Sequence, residues 1–240
     1  MPMRTLVLAL LIALSVSAFA AEHDPDFSWG AKSTAQVRAS LDLAQAKWRE
    51  ASAVPKSPEC LRSPKQTSFD EHYLRELLGR PDQAQIPYCL LDAAAGGLKR
   101  LDECKALYAR ALAGAGKPAP DSAKRFDDSY HLLRSRLKLA TGIARALVSQ
   151  RMAASSTSSY CYQAMESAID ALRDAADDAR KVSGGAKRAD SILKLRSTLF
   201  DAWERAQRAR STDPIGEIDL RKAFDESGLL TSDGRAQSRL

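Results

Sequence analysis

Apolar residues recur along this chain at intervals of three and four, and hardly anywhere at two. Val37, Leu41, Ala44, Trp48 and Ala51 form one such stripe, which predicts a helix over about 34–53. Ser33-Thr34-Ala35-Gln36 reads as its capping box. Leu90, Ala94, Gly97, Leu101, Cys104, Tyr108 and Ala111 form a longer stripe, opened near Pro87, where a first-turn proline is favourable. Phe126, Tyr130, Leu133, Leu137, Ala140, Ala144 and Leu147 form a third, capped by Asp121 and ending near Met152. Met165, Ile169, Leu172 and Ala176 predict a helix over about 159–182. Ile192, Leu195, Leu199, Trp203 and Ala206 predict another, ending near Arg210. Two shorter helices are expected: Ser68 to about Arg80, opened by Ser68 with Glu71, and about 216–226, closed by Ser227-Gly228.

Between these stripes lie strong breakers: Pro55, Pro58 and Pro64, the run AGAGKPAP at 113–120, ASSTSS at 154–159, Gly184-Gly185 and Pro214. No stretch alternates with period two for long. The expected fold is therefore all-α, an up-down antiparallel bundle of five to seven helices. Gly96-Gly97 inside the second long helix either admits a neighbouring helix closely or marks a break, at about 1 kcal/mol per Gly relative to Ala.

The first residues carry a different pattern. Arg4 precedes an apolar run from Leu6 to Val16, and Ala18-Phe19-Ala20 places small residues where a signal peptidase reads. Residues 1–20 are expected to be a cleaved signal peptide, and the protein periplasmic or secreted. Residues 21–32 then form a polar leader, with Phe27 and Trp29 pinning it to the core. Residues 33–228 form the bundle domain, and 229–240 a disordered tail. A cut after Ala20 would leave Ala21-Glu22-His23 at the terminus. A free amine, two amides and the His23 imidazole supply four planar nitrogens, a geometry suited to Cu(II) or Ni(II).

An exported chain with four cysteines, Cys60, Cys89, Cys104 and Cys161, is expected to hold two disulfides. Within one straight helix Cys89 and Cys104 stand about 22 Å apart, beyond disulfide reach. If the short 68–80 helix runs antiparallel beside the helix that follows it, Cys60 falls near Cys104. Cys161 then falls near Cys89. The expected pairs are Cys60–Cys104 and Cys89–Cys161.

The formal charge is +6, and the excess is uneven. Residues 180–210 hold nine basic side chains against Asp190, Asp201 and Glu204. Lys187, Lys194 and Arg205 interleave with Asp201 on one helical face. Such a face either is simply solvated or binds an anionic partner. Nucleic acid is a poor partner for an exported protein; an acidic protein or an anionic envelope component suits it better.

Chemistry-bearing motifs are sparse. There is no H-E-x-x-H, no G-x-S-x-G, no phosphate-binding glycine loop and no dinucleotide fingerprint. His72 stands beside Glu71, and Asp128 precedes His131 by three residues, half of a bundle metal motif with no second copy. Asp70-Glu71 and Asp177-Asp178 read as solvated pairs. From Asp225 the chain resembles a calcium loop, but Leu229, Leu230 and Ala236 occupy positions that need ligands or glycine. The function expected is that of an exported, non-enzymatic binding protein of inhibitor, immunity or adaptor type. The alternatives are a copper- or nickel-binding protein and an enzyme whose site carries no recognisable motif.

Overall fold

The computed structural model describes residues 24–53, 70–79, 86–115, 120–154, 158–211, 213–214 and 218–232. A 3-10 turn, Ser28–Lys32, precedes α1 (Ala35–Ser52), α2 (Glu71–Leu78), α3 (Ile86–Ala115), α4 (Pro120–Ala154), α5 (Ser158–Arg180), α6 (Ala186–Arg208), α7 (Leu220–Ser227) and α8 (Leu229–Ser232). Among the described residues every regular element is helical.

The caps sit one or two residues from their expected places. Thr34, not Ser33, caps α1, its hydroxyl accepting from the Val37 amide. Asp70 caps α2 by accepting from the Tyr73 amide at 2.9 Å, while Ser68 lies outside the described residues. Asp219 caps α7, and Gly228, left-handed at φ 81°, ends it. The chain then turns into α8 with Leu229 fully buried, so the packed chain extends past residue 228. Residues 233–240 lie outside the described ones.

The long helices pack in chain order: α1 on α3, α3 on α4, α4 on α5, α5 on α6. The short helices α2, α7 and α8 pack on one another, with α2 also on α4 and α7 and α8 on α6. α4 is consequently central and buries residues around most of its circumference, including Leu137, Leu139, Ala140, Ile143, Ala144 and Ala146. At its start the leader docks as expected. Phe27 meets Tyr108 and Phe126 edge-on, Trp29 meets Tyr108, and Tyr108 stacks on Phe126 at 3.8 Å between ring centres. The Trp48 indole donates to Asp24 at 3.2 Å.

Two close approaches depend on missing side chains. A Cβ on Gly97 would lie 2.9 Å from Leu137 Cδ2 and 3.2 Å from the Ala51 carbonyl oxygen. Gly97 thus admits α1 and α4 against an unbroken α3. The second approach joins α4 to α5 through a seam of small residues. Ser135 donates to the Ala175 carbonyl at 2.8 Å and Ser149 to the Cys161 carbonyl at 2.9 Å. Between them Gly142 abuts the Ala168 carbonyl. Ser135, Gly142 and Ser149 are spaced by seven, as are Cys161, Ala168 and Ala175. A seven-residue repeat keeps one face turned to its partner along the whole length of an antiparallel pair.

The cysteines depart from the expected pairing. Cys104 and Cys161 are both thiols with no exposed surface, so neither Cys60–Cys104 nor Cys89–Cys161 forms. Cys161 serves as a small seam residue under Ser149. Cys104 faces the core of α3, whose extensive neighbours are α1 and α4; α2, which was expected to carry the chain of Cys60 alongside it, packs on α7, α4 and α8 instead. Cys89 is disulfide-bonded, and Cys60 lies outside the described residues.

Candidate functional site

The basic helix predicted from the sequence is α6, and the structure sets Lys187, Lys194 and Arg205 on its exposed side. Spacings of seven and eleven residues return each to nearly the same direction, in a line about 27 Å long. Lys187 and Arg205 make no ion pair with a described residue. Lys194 donates to the Glu226 carbonyl at 2.6 Å, tying α6 to α7. Neighbouring charges are partly spent: Arg208 holds Glu204 at 2.6 Å and Arg180 holds Asp177 at 3.1 Å. Arg188, in the same basic run, is not on this face; it is 4% exposed and turned into the core.

There it meets Glu71, which has no exposed surface. The guanidinium of Arg188 pairs with Glu71 Oε1, and Arg136 Nη2 lies 3.6 Å from Oε2. Residues of α2, α4 and α6 therefore meet at one carboxylate. The reading of Asp70-Glu71 as a solvated pair is corrected: Asp70 caps, and Glu71 is an internal anion between two arginines.

Asp178 is likewise not solvated. Its carboxylate, 2% exposed in the residue as a whole, receives His131 Nδ1 at 3.0 Å, Lys138 Nζ at 2.8 Å, Arg134 Nε at 3.3 Å and Lys181 Nζ at 3.5 Å. Burial works to raise its pKa. The bond to Lys138 and then that to His131 outweigh burial, and the carboxyl stays below its ordinary value. Arg134 continues the network by donating to the Tyr130 hydroxyl at 2.7 Å, and that hydroxyl donates to Asp102 at 2.8 Å. Burial first, then the bond to Asp102, pushes the Tyr130 phenol up to about 12. A carboxylate held ionised by four cationic or hydrogen-bonding partners is a weak proton acceptor. The arrangement clamps α3, α4 and α5 and leaves little basicity for acid-base work.

The Asp128–His131 pair is not brought together. His131 turns to Asp178, with Asp127 3.8 Å from its other nitrogen, and Asp128 accepts from the Ser183 amide at 3.0 Å. His72 is exposed on α2. No group of three His, Cys, Asp or Glu side chains among the described residues is placed to hold a metal ion. Ala21, Glu22 and His23 lie outside the described residues. Among those described, no helix is long and apolar enough to cross a membrane.

At the end of the bundle where α4 and α6 begin, a groove of about 350 Å³ opens between α4 and the α5–α6 turn. Lys124, Arg125, Asp128 and Leu132 line one wall, Val182 and Ser183 the other. Sequence reasoning missed the two buried anions and this groove. The only local signal was the spacing of His131, Arg134 and Lys138, three polar residues on one face of a mostly buried helix.

No family model, curated protein or solved structure matches this chain.

Proposed function

We propose that this chain is an exported, non-enzymatic helical-bundle protein that binds an acidic protein partner or an anionic envelope component, in the manner of an inhibitor, immunity protein or adaptor. The observation that carries the reading is the line of Lys187, Lys194 and Arg205 on the exposed side of α6. Charges that could oppose it are taken up elsewhere: Glu204 by Arg208, Asp177 by Arg180, and Glu71 and Asp178 inside the protein. The acids left exposed on α6, Asp190 and Asp201, are outnumbered by the three cations and leave a net positive strip. A strip of this kind steers an anionic partner and fixes its register more than it adds affinity.

The buried ion clusters support the binding reading from a second side. They join α2 to α4 and α6, and α3 to α4 and α5, and so hold the helix carrying the strip in one position. Retention on an anionic heparin matrix tests the reading. The native protein should be held at low salt, and a Lys187→Gln/Lys194→Gln/Arg205→Gln variant should elute much earlier.

A further inference from the structure

The exposed side of α6 carries charges whose signs alternate along the helix: Lys187, Asp190, Lys194, Asp201 and Arg205. At about 100° per residue all five fall within an arc of about 60°. Asp190 and Lys194 are spaced by four, as are Asp201 and Arg205, a spacing at which opposite charges can pair along one helix. Neither pair closes, and among the described residues none of the five stands in an ion pair. Lys194 donates to the Glu226 carbonyl at 2.6 Å. That acceptor is neutral, so the ammonium charge stays uncompensated, and only one of its three donors is used.

A uniformly negative surface laid on this line attracts its cations and repels Asp190 and Asp201. A surface of inverse pattern meets all of them favourably, and the line supplies that pattern itself when turned end for end. Lys194 and Asp201 stand at equal distances, about 5 Å, on either side of the midpoint between Ser197 and Thr198, and Asp190 and Arg205 at about 11 Å. We propose that a second copy of this chain docks on α6, the two helices antiparallel about a twofold axis between Ser197 and Thr198. Lys194 of each copy then faces Asp201 of the other, and Arg205 faces Asp190, so two unlike pairs become four contacts by symmetry. Laid parallel in register, the same helices would set every charge against its like. Ser197 and Thr198 are small residues at the crossing, and the Thr198 hydroxyl is turned back to the Lys194 carbonyl at 3.1 Å. Lys187 lies outside the four contacts, opposite Arg208, which Glu204 holds at 2.6 Å. The inference names the partner of the α6 strip and rests on the reading of that strip as a binding surface. Contacts between exposed charges are weak and screened by salt, so the dimer belongs to low ionic strength and high protein concentration.

Sedimentation velocity on the full mature chain, over concentrations up to about 1 mM, tests the inference. The native protein should dimerise at about 20 mM salt and separate at about 0.5 M, where charges act over only a few ångströms. Lys194→Asp and Asp201→Lys should each weaken the dimer by about tenfold or more, because each sets like charges face to face twice. The exchange variant Lys194→Asp/Asp201→Lys should recover it, since the exchanged charges meet again across the axis. Positions 194 and 201 are two turns apart, beyond the spacing at which one helix pairs its own side chains, so recovery has to come from the second copy. Asp190→Asn/Asp201→Asn should lose the dimer yet bind heparin at least as tightly as the native chain. The dimer is overturned if the native protein stays monomeric throughout, or if the exchange variant associates no better than the single variants. A monomer that heparin still retains overturns the dimer alone; equal heparin elution of the native protein and Lys187→Gln/Lys194→Gln/Arg205→Gln overturns the strip as a binding surface.

Discussion

Gly142 on α4 lies against Ala168 on α5 so closely that a Cβ would sit 3.2 Å from the Ala168 carbonyl oxygen and 2.8 Å from Leu172 Cγ. The backbone oxygen cannot move aside without parting the two helices. Gly142→Val is therefore expected to destabilise by about 2–3 kcal/mol, read as a lower urea midpoint at unchanged slope. Gly96 is the contrast. Its missing Cβ would meet only the far end of the Arg100 side chain, at 2.8 Å. Gly96→Ala should stabilise by about 0.5–1 kcal/mol through helix propensity. Equal responses at the two positions would refute the seam.

Glu71 and Arg188 are 0% and 4% exposed. Removing one partner leaves the other charge buried. Glu71→Leu and Arg188→Met are each expected to cost about 3–5 kcal/mol, and the double variant, with its hydrophobic pair, far less than their sum. Thermal melts of the three proteins measure this directly. Additive losses would mean that the two side chains do not act as a pair.

Asp178 gives the protein an acid-side sensitivity with a definite sign. Its carboxyl is held below its ordinary value of 3.8, so between the folded and unfolded values the unfolded chain binds more protons. The resulting stability is full above about pH 4 and is lost as pH falls through the folded value. Asp178→Asn should be less stable at neutral pH, with a shallower decline as pH falls below about 4. Parallel stability curves for the two proteins would place the acid sensitivity elsewhere.

Oxidised Cys89 and the two buried thiols make a clear expectation for the cysteines. Non-reducing peptide mapping should find Cys89 in a crosslink and Cys104 and Cys161 in none. Burial pushes the Cys104 thiol up to about 12, so Cys104 should resist alkylation until the protein unfolds. A mapped Cys60–Cys104 or Cys89–Cys161 peptide would contradict the arrangement.

The helices were legible because each carries its own apolar stripe. Val37 to Ala51 and Leu90 to Ala111 are periodic signals within single elements, and all of these residues proved buried. Phe27 and Trp29 were legible as anchors because large aromatics in a polar leader have few other uses. What was hidden depends on relations between helices. Glu71 takes its partners 65 and 117 residues along the chain, at Arg136 and Arg188, and nothing near it in sequence marks it as buried. The Asp178 cluster is hidden in the same way, since its partners come chiefly from α4. Cys161 misled for a chemical reason. In an exported chain an even cysteine count suggests crosslinks, yet a thiol is also a small apolar side chain that fits a seam between serine, glycine and alanine. The repeat of seven shared by Ser135, Gly142 and Ser149 with Cys161, Ala168 and Ala175 was present in the sequence. It goes unnoticed when only large apolar residues are counted.

The binding account rests on the positive strip of α6, and salt-gradient elution from heparin tests it most directly. The native protein should elute well above the salt at which Lys187→Gln/Lys194→Gln/Arg205→Gln elutes, and the gap should close as ionic strength shortens the range of the charges to a few ångströms. Identical elution of the two proteins, with both fully folded by circular dichroism, would contradict the account.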